Sequence, residues 1–233
     1  MSRTQPEAHA SNPVEYKLEW VGHDEGGYFS VWDRENKCEI KLELPLKFAY
    51  LDCKKAVGGF YEGVKRSFFS NEIRNTKSQE LDVRYYKDGT SHPVAKGLWN
   101  DIKGEIGGKG AKFCNVVYAT LLNSTSDDIP GGSLVKLPLI GAAGSAWIDL
   151  NIKDGESFEV SGFEDKQKGR AKYRQPVFEK IQITKDEDAI ACEQDKALQE
   201  YFNAAKEPAK ESSPSDYYTD ADAPDEDEDD FPF

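Results

Sequence analysis

Leu98-Trp99-Asn100-Asp101-Ile102-Lys103-Gly104-Glu105-Ile106 is a short stretch of helical spacing set between stretches of period two. Leu98, Trp99, Ile102 and Ile106 fall on one stripe, and Gly107-Gly108 follows as a stop signal, so the spacing predicts a short helix. Upstream, Leu81, Val83 and Tyr85 alternate with Asp82, Arg84 and Tyr86. That alternation predicts a strand with Arg84 and Tyr86 on the face opposite the core, ended by an Asp88-Gly89 turn. Downstream, Phe113 to Leu122 reads as a strongly apolar strand. A helix inserted between strands is the first sign of architecture.

Further out the strand pattern repeats. Tyr16, Leu18 and Trp20 alternate with Lys17 and Glu19; Tyr28 to Trp32 is a second short strand. Ile40, Leu42, Leu44 and Leu46 suggest a third, with Pro45 suited to an edge or bulge. Leu134 to Ile140 and Ala146 to Ile152 read as two more, then Phe158 with Val160, and Tyr173 to Ile183. In the strand expected from Ala146, Trp147 falls in phase with polar Ser145, Asp149 and Asn151. It is therefore either covered by another element or a stacking platform. Thr184 and Glu187 form a capping box that opens a helix striped by Ile190, Ala197, Leu198, Tyr201 and Phe202. Many short strands with one internal and one closing helix predict a mainly β fold, a barrel or sandwich. An elaborated oligonucleotide-binding (OB) barrel suits the inserted helix. The expected organisation is a loose arm over 1–13, an OB-like domain over 14–205, and a linker with a disordered acidic tail over 206–233.

The 233 residues carry a formal charge of −13, but nine of the carboxylates lie between Asp216 and Phe233, where there is no Lys or Arg. Residues 14–185 are close to neutral, with 26 basic and 25 acidic side chains. A neutral body still binds nucleic acid where its cations cluster, because counterion release depends on local phosphate contacts. The four cysteines and three histidines are scattered without zinc spacing, so no metal or other cofactor is expected. Reduced cysteines, no apolar run of membrane-spanning length and no signal pattern point to a soluble cytoplasmic protein without a membrane partner.

Basic residues and aromatics interleave over 47–112, with 13 basic against 8 acidic side chains. Lys54, Lys55, Lys65, Arg66, Phe68, Arg74, Arg84, Tyr86, Lys109 and Lys112 are candidate DNA-binding residues there, with Trp147 as a further stacking candidate. Charge along a groove and exposed aromatic faces are what a single strand requires. Lys166, Lys168, Arg170, Lys172 and Arg174 occupy every second position beside Tyr173. Extended, they would line one side at ~6.5–7 Å intervals; as a hairpin around Gly169 they would form a clamp. The Gly107-Gly-Lys-Gly run is not a phosphate loop, since the G-x-x-x-x-G-K-[ST] pattern is missing.

The tail closes on Asp229-Asp230-Phe231-Pro232-Phe233. This tip resembles the acidic C-terminal peptide of bacterial single-stranded DNA-binding proteins, with Phe231 where Ile is usual. With the interleaved body, and with Ser70-Asn71-Glu72, Trp147-Ile148 and Tyr173-x-x-Pro176-Val177-Phe178, the chain resembles the single-stranded DNA-binding proteins of tailed bacteriophages. The resemblance implies sequence-independent binding of single-stranded DNA in replication and recombination, in the host cytoplasm. It implies a tail that recruits polymerase, helicase-primase or nuclease and that competes with DNA for the basic groove, and it leaves room for a homodimer. Three histidines without a partner pattern and no paired carboxylate motif give no catalytic constellation, so no enzymatic activity is expected. The alternatives are a structural or scaffold virion protein with an acidic solubility tail, and a metal-dependent nuclease built on scattered acids.

Overall fold

The computed structural model of the protein describes residues 12–23, 25–33 and 35–204. All but the last two residues of the expected arm lie outside them, as do the linker and tail with Asp229, Asp230, Phe231, Pro232 and Phe233. The described chain is mainly β, as expected.

The elements in order are β1 (Tyr16–Lys17), β2 (Glu19–Val21), β3 (Tyr28–Asp33), β4 (Cys38–Leu42), β5 (Leu46–Tyr61), β6 (Arg66–Ser70), β7 (Leu81–Lys87), β8 (Thr90–Gly97), α1 (Trp99–Gly107), β9 (Ala111–Leu121), β10 (Leu134–Ile140), α2 (Gly141–Leu150), β11 (Ser157–Lys168), β12 (Ala171–Ile181) and α3 (Lys185–Ala204). The large sheet runs β1-β10-β9-β5-β6-β7-β8, and a β11–β12 hairpin joins the N-terminal half of β5. A small sheet, β2-β3-β4, stands apart. Its Phe29, Val31 and Leu42 pack with Phe48, Val117, Leu121, Phe158 and Trp147 into the main core.

The helix at Leu98–Ile106, the Asp88-Gly89 turn and the capping box form where the sequence places them. Ile102 and Ile106 are the buried residues of α1. Asp88 and Gly89 both take positive φ, 51° and 74°, as a tight hairpin turn demands. The Thr184 hydroxyl accepts from the Glu187 amide at 3.2 Å, and the Glu187 carboxylate accepts from the Thr184 amide at 2.7 Å.

Four expectations change. No closed barrel forms among the described residues: β1 and β8 end the sheet and do not pair. The expected strand from Ala146 is instead the C-terminal part of α2, a third helix. Ala143, Gly144 and Trp147 are its buried residues, a helical spacing, which is why Trp147 looked out of phase with a strand. The expected strand through Leu46 is two strands: β4 stops at Leu42, and β5 starts after the cis Leu44–Pro45 bond, in the other sheet. Tyr16–Trp20 likewise divides between two sheets, with the fully buried Leu18 between them.

The 16-residue β5 organises the large sheet, pairing with β9, β6 and β11. Its register shifts between Tyr50 and Asp52, so alternation is interrupted within the strand. No helix among the described residues is long and apolar enough to cross a membrane.

Candidate nucleic-acid interface

Side chains alternate between the two faces of β5 and β9, and cross-strand partners share a face. One face carries Phe48, Val117 and Leu121 toward the main core, and Val57, Phe113 and Phe68 toward a second core closed by α1. The other face has two parts, one open and one covered.

The open part lies at the C-terminal end of β5. Lys112 pairs with Gly58, Gly58 with Phe69, and Phe69 with Arg84, a row across four adjacent strands. Phe69 stacks on Tyr86 with ring centroids 5.5 Å apart and planes 15° apart. Phe60, two residues along from Gly58, is 48% exposed. A Cβ at Gly58 would meet nothing nearer than 3.8 Å, so bare backbone lies between Lys112 and Phe69. Arg84 is oriented by Asp82 at 2.9 Å, and 43% of its side chain remains accessible. The surface therefore offers a flat aromatic pair, an accessible third ring, and cations on both flanks.

The covered part lies beneath α3. Cys114, Val116, Tyr118 and Ala56 cluster there with Leu198 and Phe202. The Lys54 ammonium sits 3.1 Å from the centre of the Phe202 ring and 5.5 Å from that of Tyr118. Burial pushes the Lys54 amine down to about 8, against the weaker pull of Glu72 and Asp52. Arg74 is clamped by Asp52 through two hydrogen bonds of 2.8 and 2.6 Å. The Tyr118 hydroxyl donates to Glu72, which also meets Lys136 at 3.3 Å. Burial likewise raises the Cys114 thiol to about 12.

The sequence-predicted residues thus divide. Arg84, Tyr86 and Lys112 share the open face, and Lys54 and Arg74 lie at its covered end. Lys55 projects from the opposite face, 5.9 Å from the Phe113 ring centre. Lys109 belongs to that side too, paired with Glu105 at 2.7 Å and 5.6 Å from the Tyr61 ring. Lys65 and Arg66 stand exposed at the β5–β6 turn. Two stacking candidates are corrected. Phe68 is 2% exposed and packs in the second core. Trp147 is 5% exposed, with Phe158 and Phe178 set edge-on at 5.0 and 5.7 Å, so neither ring offers a face to a base. The rings that stand in their place, Phe69 and Phe60, lie in a stretch where the sequence pattern predicts no strand, between Leu46 and Leu81. With β6 recognised, parity alone would have moved the choice from Phe68 to Phe69.

The alternating cations near Gly169 form the hairpin alternative. Lys166 pairs with Tyr173, Lys168 with Ala171, Gln167 with Lys172, and Asp165 with Arg174. Lys166 and Lys168 therefore share one face and Lys172 and Arg174 the other, with Arg170 in the turn. They do not line one side. Lys166 is paired with Glu164 and Arg174 with Asp165. Arg174 also donates to the Gly26 carbonyl and stacks over Phe163 at 4.5 Å. The hairpin leaves β5 at Leu46 and the open platform begins at Gly58, roughly 40 Å of strand contour apart. The two predicted groups therefore belong to opposite ends of β5.

Among the described residues no cluster of three His, Cys, Asp or Glu is placed to hold a metal ion. Compared with protein families, with curated proteins and with solved structures, the chain matches none.

Proposed function

We propose that the protein binds single-stranded DNA without sequence preference, across the outer face of β9, β5, β6 and β7. The observation that carries this is the Phe69–Tyr86 stack, on one face with Lys112 two strands to one side of Phe69 and Arg84 on the neighbouring strand beside Tyr86. A double helix hides its base faces, whereas a single strand presents them. Each base stacked on an aromatic ring contributes ~1–3 kcal/mol whatever its identity, and the flanking cations neutralise phosphates. The bare backbone at Gly58 lets a strand lie close to the sheet.

Within this proposal the large sheet is an opened, enlarged oligonucleotide-binding barrel. The long β5 pairs with three strands, and α1 enters just before β9. The resemblance to tailed-bacteriophage proteins supports a role in replication and recombination in the host cytoplasm. The residues from Asp216 to Phe233, with nine carboxylates beside Phe231 and Phe233, suit recruitment of replication proteins and competition with DNA for the cations.

The test is fluorescence anisotropy of labelled oligo-dT at low and high salt, with the full chain and with residues 216–233 deleted. Binding that weakens steeply with salt, and that oligo-dA and mixed sequences compete for comparably, is the expected result. No binding at low salt by either protein would overturn the proposal and favour a protein-binding structural role. Metal-dependent cleavage of the oligonucleotide would favour a nuclease.

A further inference from the structure

The open platform does not end at a natural border. Along β5 and β9 the next register rows after Gly58/Lys112 are Ala56/Cys114, Lys54/Val116 and Asp52/Tyr118, all on the same face. The last two turns of α3 lie on these rows, with Leu198 and Phe202 packed against Ala56, Cys114, Val116 and Tyr118. At their centre, the Phe202 ring is held in a setting that would serve a nucleobase equally well. It has the Lys54 ammonium 3.1 Å from its centroid, the Arg74 guanidinium at 5.8 Å, and the Tyr118 ring edge-on at 5.2 Å. An aromatic ring bracketed by two cations and a tyrosine is the pattern of a stacking subsite with phosphate contacts beside it.

We propose that Phe202 fills a base subsite formed by Lys54, Arg74 and Tyr118, and that the last turns of α3 are a displaceable cover over a continuation of the strand-binding face. This rests on the single-strand reading above. The N-terminal end of α3 is anchored by its capping box and by Gln194, which donates to the Gly132 carbonyl at 2.9 Å. Its C-terminal end is held chiefly by Leu198 and Phe202, which with Ala191 are the buried residues of α3, while Tyr201 packs half-buried against the same cluster. Among the described residues Lys54 has no carboxylate in ion-pair contact, so opening the cover returns a desolvated cation to water or to a phosphate. A strand long enough to run past Gly58 supplies that phosphate, and a base in place of the Phe202 ring. A strand confined to the open platform supplies neither.

The experiment compares oligo-dT of about 5 and about 16 nucleotides. Lys54→Ala should weaken binding of the long oligonucleotide severalfold and leave the short one unchanged. Phe202→Ala should strengthen binding of the long one by about fivefold or more, again with no change for the short one. With Cys38, Cys53 and Cys192 replaced by Ser, Phe202→Ala should also speed thiol labelling of Cys114 in the absence of DNA. Lys54→Ala acting equally on both lengths, or on neither, overturns the proposal even if Phe202→Ala does not fold. Unchanged Cys114 labelling in a folded Phe202→Ala protein also overturns it. Failure of the unaltered protein to bind either oligonucleotide would instead overturn the strand-binding reading.

Discussion

Phe68 and Phe69 are neighbours in sequence and opposites in setting: one fills the core beneath β6, the other stacks on Tyr86 outside it. Phe69→Ala should lower single-strand affinity by ~1–3 kcal/mol and barely move the melting temperature. Phe68→Ala should cost ~3–5 kcal/mol of stability, with any binding loss tracking the unfolded fraction. Anisotropy and thermal melts on both variants decide it; equal effects would remove the platform. Lys54 makes a second prediction at this scale. Its folded value of about 8 lies below its ordinary 10.5, so the unfolded chain holds the proton more tightly. Burying the charged amine therefore costs stability below pH 8, and that cost is relieved as pH rises from 8 through 10.5. Cys53 and Cys114 act in the opposite direction, since burial raises both thiols above their usual 9.0. The difference between Lys54→Met and the unaltered protein isolates Lys54. Melts at rising pH should show the Met variant's relative advantage shrinking; a difference independent of pH would mean the amine is not desolvated.

At the scale of elements, the sequence was legible where one rule acted alone. β7 alternates cleanly, and Arg84 and Tyr86 lie opposite the core as its pattern predicts. The capping box and the Asp88-Gly89 turn are local chemistry and form as written. β5 was hidden because its register shift and its Lys54-Lys55 and Gly58-Gly59 pairs break the alternation. α2 was mistaken because a short apolar run fits either period until its neighbours choose. The β11–β12 hairpin shows how a turn redistributes a linear pattern: five alternating cations become two on each face and one at the tip. At the far end of β5 from the platform, its tip cations would, on the proposed reading, meet only a strand that spans the molecule. Replacing Lys168, Arg170 and Lys172 with Ala should leave a platform-length oligo-dT untouched. For a long oligo-dT it should reduce the salt slope by about one unit per lost phosphate contact. An unchanged slope with long oligonucleotides would make the hairpin a solvated ornament of the fold.

For the whole molecule, sheet closure was the property least accessible to sequence, because it depends on whether the outermost strands meet, and no local pattern encodes that. Charge distribution, by contrast, is read directly. Nine carboxylates between Asp216 and Phe233 account for most of the −13, and removing them leaves −4. The platform's cations are few, and Arg84 and Arg74 already share theirs with Asp82 and Asp52. On the proposed single-strand reading, a dense run of carboxylates on the same chain would compete locally for what remains, since linkage gives an effective concentration in the millimolar range. A phosphate backbone would then have to displace it before making its own contacts. Deleting 216–233 should therefore raise oligo-dT affinity at low salt. The gain should fade as added salt shortens the screening length from about 10 Å at 0.1 M toward about 3 Å at 1 M. Equal affinities at low salt would mean that the carboxylates do not meet the platform. A gain that persists unscreened would mean that the deletion acts on the fold rather than through charge.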